Sequence, residues 1–150
     1  MTKYLSLVLF LLLVVGGGLL IGATNVPGAW YAALNKPSFN PPNWIFAPVW
    51  TVLYVFIAIA GWRVWQRQDL REAMWAWWSQ LGLNFLWSPV FFSLHSPGIA
   101  MVVILAMLAA IVVFMRLVWN NDRVSGLLFA PYLAWVSFAT LLTMAVFVLN

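Results

Sequence analysis

Long apolar runs, interrupted by only a handful of charges, fill this chain of 150 residues. That pattern restricts the fold more than any motif does. Soluble domains carry charge on about a quarter of their residues, whereas here charged residues make up 7% and hydrophobic ones 65%. There is too much apolar surface for water to tolerate, so the chain belongs in a bilayer. Inside hydrocarbon every peptide group must be paired within the protein, which leaves helices or a closed barrel. Period-two alternation is absent, so an all-α membrane bundle is predicted.

Five segments have the length of about 20 residues that crosses a hydrocarbon core. They cover 4–24, 44–65, 73–94, 98–119 and 124–149, with a Pro- and Trp-rich loop at 25–43. The expectation is one membrane domain over 1–150, a five-transmembrane-helix bundle whose third span is the most polar. The first apolar run follows Lys3 and is too long for the apolar region of a signal peptide, so it is read as a span. Gly18 and Gly22 have the spacing that lets helices approach closely. No cysteine is present, which removes disulfides and thiol chemistry.

Charge sets the expected orientation. With five spans, Lys3, Arg63, Arg67, Arg71, Arg116 and Arg123 fall on one side, and Lys36 falls on the other with His95. By the positive-inside rule the N-terminus is cytoplasmic, and the 25–43 loop and C-terminus are outside. The net charge of +4 is then topological, and no nucleic-acid partner is expected. Asp69, Glu72 and Asp122 all lie in links, so ion-coupled pumping has no intramembrane carboxylate to use.

In the first loop Pro37, Pro41, Pro42 and Pro48 lock their own φ and push the preceding residues toward extended backbone. The rings around them, Trp30, Tyr31, Phe39, Trp44, Phe46, Trp50 and Tyr54, suit either an interfacial belt or a stacking surface for a flat ligand. Helical spacing aligns Phe46, Trp50 and Tyr54 on the second span. On the third it aligns Gln80, Asn84, Trp87 and Phe91, and on the fifth Pro131, Trp135, Ala139 and Leu142. Converging stripes would enclose an apolar pocket with a few directional polar groups. Packing and interhelical hydrogen bonding account for the same stripes equally well. Pro89 and Pro131 are expected to kink their helices. Trp75, Trp77 and Trp78 read as an interfacial anchor. No nucleophile–base set, carboxylate pair, phosphate loop or metal cluster appears, so neither catalytic residues nor metal ligands are assigned.

Several of these residues fall into a recognisable pattern. Trp30-Tyr31, Leu34, Lys36-Pro37, Pro41-Pro42-x-Trp44-x-Phe46-x-Pro48-Val49-Trp50-Thr51-x-Leu53-Tyr54, Asn84-x-x-Trp87-x-Pro89-Val90-Phe91-Phe92 and Pro131-Tyr132-x-x-Trp135 together resemble the translocator protein family. These TspO/MBR proteins are also called tryptophan-rich sensory proteins. The resemblance spans nearly the whole chain. It implies a five-helix, commonly homodimeric, multi-pass membrane protein of bacterial type, with a pocket under the first loop for tetrapyrroles such as protoporphyrin IX and haem.

Positions matching the family pocket are Trp50, Tyr54, Asn84, Trp87, Trp135 and Ala139, with Trp30, Lys36, Phe39 and Trp44 nearby and Phe46 on the same stripe as Trp50. No cofactor is required; porphyrin or haem is the expected ligand, with Lys36 placed to pair with a propionate. Tyr132 lacks a following Lys or Arg within five residues, so the family's sterol pattern is missing. Thr143 stands where related bacterial chains tend to carry Asn. The expected role is a sensor, with porphyrin transport and light-dependent porphyrin degradation as alternatives. The small residues Ala76, Ser79 and Gly82 are the expected dimer face.

Overall fold

A computed structural model describes residues 2–150. The described residues form helices and connecting turns, without strands. Helix α1 runs over Thr2–Thr24, with a π-helical turn at Leu12–Gly16. A short helix, α2 (Ala29–Ala33), sits inside the first loop. A 3-10 turn at Asn43–Ile45 leads into α3 (Phe46–Trp65). Helix α4 (Arg71–Ser88) continues through a π-helical turn at Pro89–Ser93. Helices α5 (Pro97–Val118) and α6 (Arg123–Leu149) complete the chain.

Four segments are long and apolar enough to cross a membrane: Thr2–Thr24, Asn43–Trp65, Pro97–Val118 and Arg123–Leu149. The protein is therefore a multi-pass membrane protein. Helix α4 is not among these four, because Arg71, Glu72, Gln80 and Asn84 lower its hydropathy. It is nevertheless a central element of the bundle. Around the bundle α1 packs on α3, α3 on α6, α6 on α5 and α5 on α4, with a lighter α4–α1 contact closing the ring.

The core explains several local choices. Trp77 is fully buried, and its indole N–H donates to the Ile57 carbonyl at 2.9 Å. It fits because Gly61 faces it, where a Cβ would lie 2.3 Å from the ring. The expected anchor of three tryptophans is thus corrected: Trp75 and Trp78 are exposed, and Trp77 is a helix-packing residue. Ala76 is likewise buried within the chain, which removes it from the expected dimer face. The exposed stripe on α4 is Trp75, Ser79, Gly82 and Leu86. Gly18 packs against the Tyr54 ring, but nothing lies within 4 Å of a Cβ on Gly22. Only the first glycine of that pair makes a helix contact.

One end of the bundle is tied by charge. Arg63 donates to both Asp122 oxygens at 2.9 and 3.2 Å, and Ser125 donates to the same carboxylate at 2.6 Å. Burial pushes the Asp122 carboxyl upward, but the hydrogen bonds from Arg63 and Ser125 outweigh it and hold the group below its ordinary range. Arg67 pairs with Asp69 at 2.7 Å and donates to the Asn121 carbonyl at 2.9 Å. Trp62 donates to the Lys3 carbonyl and Ser6 hydroxyl at 2.9 and 3.1 Å, fixing the start of α1.

Replacing Gly61 with Ala forces the Trp77 indole out of a filled site, an overpacking cost of about 1–3 kcal/mol. Gly82→Ala meets open space and removes a flexible helix residue. Thermal unfolding in detergent is expected to show a clear loss for the first variant and no loss for the second.

Candidate functional site

The polar centre of the bundle is a chain of side chains from three helices. Tyr54 on α3 donates to Asn84 Oδ1 at 3.5 Å, and Asn84 Nδ2 donates to the Tyr132 hydroxyl on α6 at 2.7 Å. The Tyr132 hydroxyl in turn donates to Gln80 Oε1 at 2.7 Å. Gln80 and Asn84 are one turn apart on α4, so one tyrosine of α6 bridges both. All four residues are buried. At this depth lipid offers no alternative partner, and the pairing satisfies the Asn84 amide and the Gln80 Oε1, while Gln80 Nε2 stays buried without an acceptor among the described residues.

Beside this chain lies a cavity of about 510 Å³. Its wall combines Phe46, Trp50 and Tyr54 from α3 with Asn84, Trp87, Ser88 and Phe92 from the α4 segment. Gly18, Leu19, Gly22 and Ala23 of α1 form another side, and Ile104 and Met107 of α5 form the floor. Asn25, Val26 and Pro27 from the loop, with Asn43 and Ala47, close the upper part. Leu19, Gly22, Ala23, Val26, Asn43 and Ala47 are exposed, so the cavity rim lies between α1 and α3. Trp50 and Tyr54 are stacked at 5.5 Å, as are Trp87 and Phe91 at 5.1 Å.

The expected site residues divide into three groups. Phe46, Trp50, Tyr54, Asn84 and Trp87 line the large cavity. Trp135 and Ala139 do not; they border a neighbouring void of about 20 Å³, separated from the cavity by Phe46, Trp50, Trp87 and Phe92, which line both. The indole nitrogens of Trp87 and Trp135 are buried with no acceptor among the described residues.

Trp30, Lys36, Phe39 and Trp44 lie outside both spaces. Trp30 stacks on His95 at 4.4 Å, within 9° of parallel. Phe39 sits 6.0 Å from Phe138, and Trp44 is 74% exposed. Lys36 is corrected most sharply. Its ammonium donates to the carbonyls of Tyr31, Leu34 and Ala32 at 2.8, 3.2 and 3.3 Å and sits 4.8 Å above the Tyr31 ring. It caps the end of α2 and brings no charge to the cavity.

The same loop is tethered by neutral contacts. Tyr31 donates to Asn40 at 3.0 Å, and Ser93 donates to Asn25 Oδ1. Asn35 and Asn150 exchange bonds at 3.1 and 2.9 Å, joining the loop to the end of α6. Burial raises the Tyr31 phenol above its ordinary value, against a smaller lowering by Asn40.

Tyr132, Ser88, Phe92, Ile104, Met107 and Asn25 were not singled out as site residues in the sequence. For Tyr132 the available signal was its spacing: it lies one turn before Val136 and two before Thr140 on the buried face of α6. Pro131, which the sequence stripe had placed inward, is exposed and borders an outer groove with Pro48, Val52 and Phe138.

An all-helical membrane protein with an aromatic-walled cavity centred on a buried amide is the class that this geometry defines. The TspO/MBR family model matches residues 8–149, and the chain belongs to that family. It is 41% identical over 124 residues to the tryptophan-rich protein TspO of Archaeoglobus fulgidus, covering 81% of this chain and 80% of that one. Identity to the tryptophan-rich sensory protein of Cereibacter sphaeroides is 39% over 119 residues, covering 79% and 75%. With the human translocator protein it is 32% over 137 residues, covering 86% and 81%.

Tyr132→Phe removes the hydroxyl that Asn84 and Gln80 share and leaves both amides short of a partner, a loss of about 1–3 kcal/mol. Tyr54→Phe removes only a 3.5 Å contact. Chemical or thermal unfolding in detergent is expected to rank Tyr132→Phe as the more damaging change.

Proposed function

We propose that the protein is a membrane sensor that binds flat, mainly apolar ligands of the tetrapyrrole class in the cavity beneath the first loop. The observation that carries this reading is the 510 Å³ space with indole and phenol walls and a single central amide. It falls within the roughly 300–1,000 Å³ of small-molecule sites. Trp50 and Trp87 supply ring faces for stacking, and Asn84 supplies orientation. Polar edges of a ligand meet Asn25, Asn43 and Ser88. Rotation of Phe46 or Trp50 joins the small void to the cavity and brings the unpaired indole N–H groups of Trp87 and Trp135 within reach of ligand acceptors. Names of relatives, such as tryptophan-rich sensory protein and translocator protein, accord with this role.

In this reading α4 is a fifth span, its polar face turned into the bundle and its exposed stripe available to a second copy. The basic end faces the cytoplasm, as the positive-inside rule requires. Binding orders the neutral tethers of the first loop, and that change is what a partner reads.

Titrating detergent-solubilised protein with protoporphyrin IX is expected to quench tryptophan fluorescence to saturation. Trp50→Leu and Trp87→Leu should each weaken binding about fivefold or more, as loss of about 1–3 kcal/mol of stacking implies. Trp44→Leu should leave affinity unchanged. Wild-type affinity in the Trp50→Leu/Trp87→Leu double variant would overturn the reading.

Carriage of the ligand is the second reading, favoured by the cavity rim between α1 and α3. Reconstituted vesicles are then expected to take up porphyrin well above protein-free leakage, with the flux abolished by the same double variant. Binding without flux leaves the sensor alone standing.

A further inference from the structure

The basic end of the bundle holds a second feature that the cavity does not use. Arg63 and Arg67 are neutralised by Asp122 and Asp69. Arg116 has no acidic partner among the described residues, and it borders a groove of about 320 Å³ with Val112, Met115, Trp119, Asn120 and Leu133. The lining changes character along its length. Val112, Met115 and Leu133 are apolar, while Arg116, Trp119 and Asn120 stand at the end where α5 gives way to the link. From Val112 to Asn120 the helical rise is about 12 Å, enough for a headgroup and the first methylenes of a chain. Arg123 is held alongside: its guanidinium lies 5.0 Å over the Trp119 ring, and its Nε donates to the Trp119 carbonyl at 3.3 Å. Arg116 thus borders the amphipathic groove, and Arg123 lies against Trp119 at its edge, neither with an acidic partner among the described residues.

We propose that this groove is a site for one anionic phospholipid. The lipid phosphate accepts the paired N–H groups of the Arg116 guanidinium, the geometry that Arg offers to phosphate oxygens. Asn120 and the Trp119 indole N–H border the headgroup, and an acyl chain lies against Val112, Met115 and Leu133. A zwitterionic lipid brings a second cation beside Arg123 and fits less well. A second basic groove at Val64, Trp65, Arg67, Gln68, Arg71 and Met74 has its Arg67 committed to Asp69 and the Asn121 carbonyl, which leaves Arg71 as its one cation without an acidic partner among the described residues and without a second cation beside it. It serves as the internal control.

Native mass spectrometry of the detergent-solubilised full chain, mixed with equal amounts of phosphatidylglycerol and phosphatidylcholine, tests the assignment. Wild type is expected to retain one phosphatidylglycerol per chain in preference to phosphatidylcholine. Arg116→Gln should reduce that retention about fivefold, the factor expected for one cation near an anionic headgroup. Leu133→Trp, which fills the apolar half, should reduce it as well, while Arg71→Gln leaves it unchanged. Unaltered retention in Arg116→Gln would overturn the site, and so would equal losses in Arg116→Gln and Arg71→Gln, which mean diffuse charge attraction. Unaltered retention in Leu133→Trp, or displacement of the lipid by inorganic phosphate, would mean an anion contact only and would also overturn the lipid assignment.

Discussion

The hydrogen-bond chain from Tyr54 through Asn84 and Tyr132 to Gln80 determines how three of the helices face one another. Its net contribution to stability is small, since interhelical hydrogen bonds in membranes average about 0.6 kcal/mol each. Its effect on register is large. Rotating α4 or α6 away from the observed facing leaves two carboxamides and a phenol without partners in an interior where each such group costs several kcal/mol. Competing packings of the same apolar helices are disfavoured by that penalty, and van der Waals contact alone does not discriminate among them so sharply.

Once α4 is turned so that Gln80 and Asn84 meet Tyr132, the next turn of the same helix points Trp87 and Ser88 toward α1 and α3. The space there is set by residue size. Gly18 allows the Tyr54 ring to lie flat on α1, and Gly22, Ala23 and Ala47 put no bulk where a larger side chain would fill the gap. Large rings on α3 and α4 opposite small residues on α1 therefore leave a hollow, with Asn84 both closing the polar chain and bordering the hollow. Fold and site share that residue.

How far this was legible from composition and spacing varies element by element. The α4 stripe was readable because carboxamides in an apolar run have few tolerable places to go, and Gln80, Asn84, Trp87 and Phe91 are all buried. On α6 the chosen stripe ends in the buried Ala139 and Leu142 but begins at the exposed Pro131, whereas the buried face runs through Phe129, Tyr132 and Val136. A step of one residue turns a helix by about 100°, so the key hydroxyl was passed over. Among Trp75, Trp77 and Trp78 nothing local distinguishes the buried ring; the distinguishing residue is Gly61 on another helix. Lys36 looked available because the carbonyl cage that holds it depends on how α2 ends. Helix α5, apolar on every side, gave no period from which Ile104 or Met107 could be chosen.

The two ends of the bundle are held by different physics, and this bears on which end can move. At the basic end, parting Arg63 from Asp122 would strand a carboxylate that is 8% exposed, and Trp62 pins α1 at the same level. At the cavity end no ion pair among the described residues ties the elements together: the attachments are the Asn35–Asn150 exchange, the Ser93–Asn25 bond and the Trp30–His95 stack. Each neutral hydrogen bond contributes about 1 kcal/mol net, and its groups find water or headgroup partners when released. Low-cost local opening therefore concentrates at the loop that covers the cavity, while the charged end keeps the helices in register. His95 belongs to the same end and is the one non-glycine residue with positive φ among those described, at 54°. Its ring stacks on Trp30, so the α4–α5 link and the first loop meet at that pair.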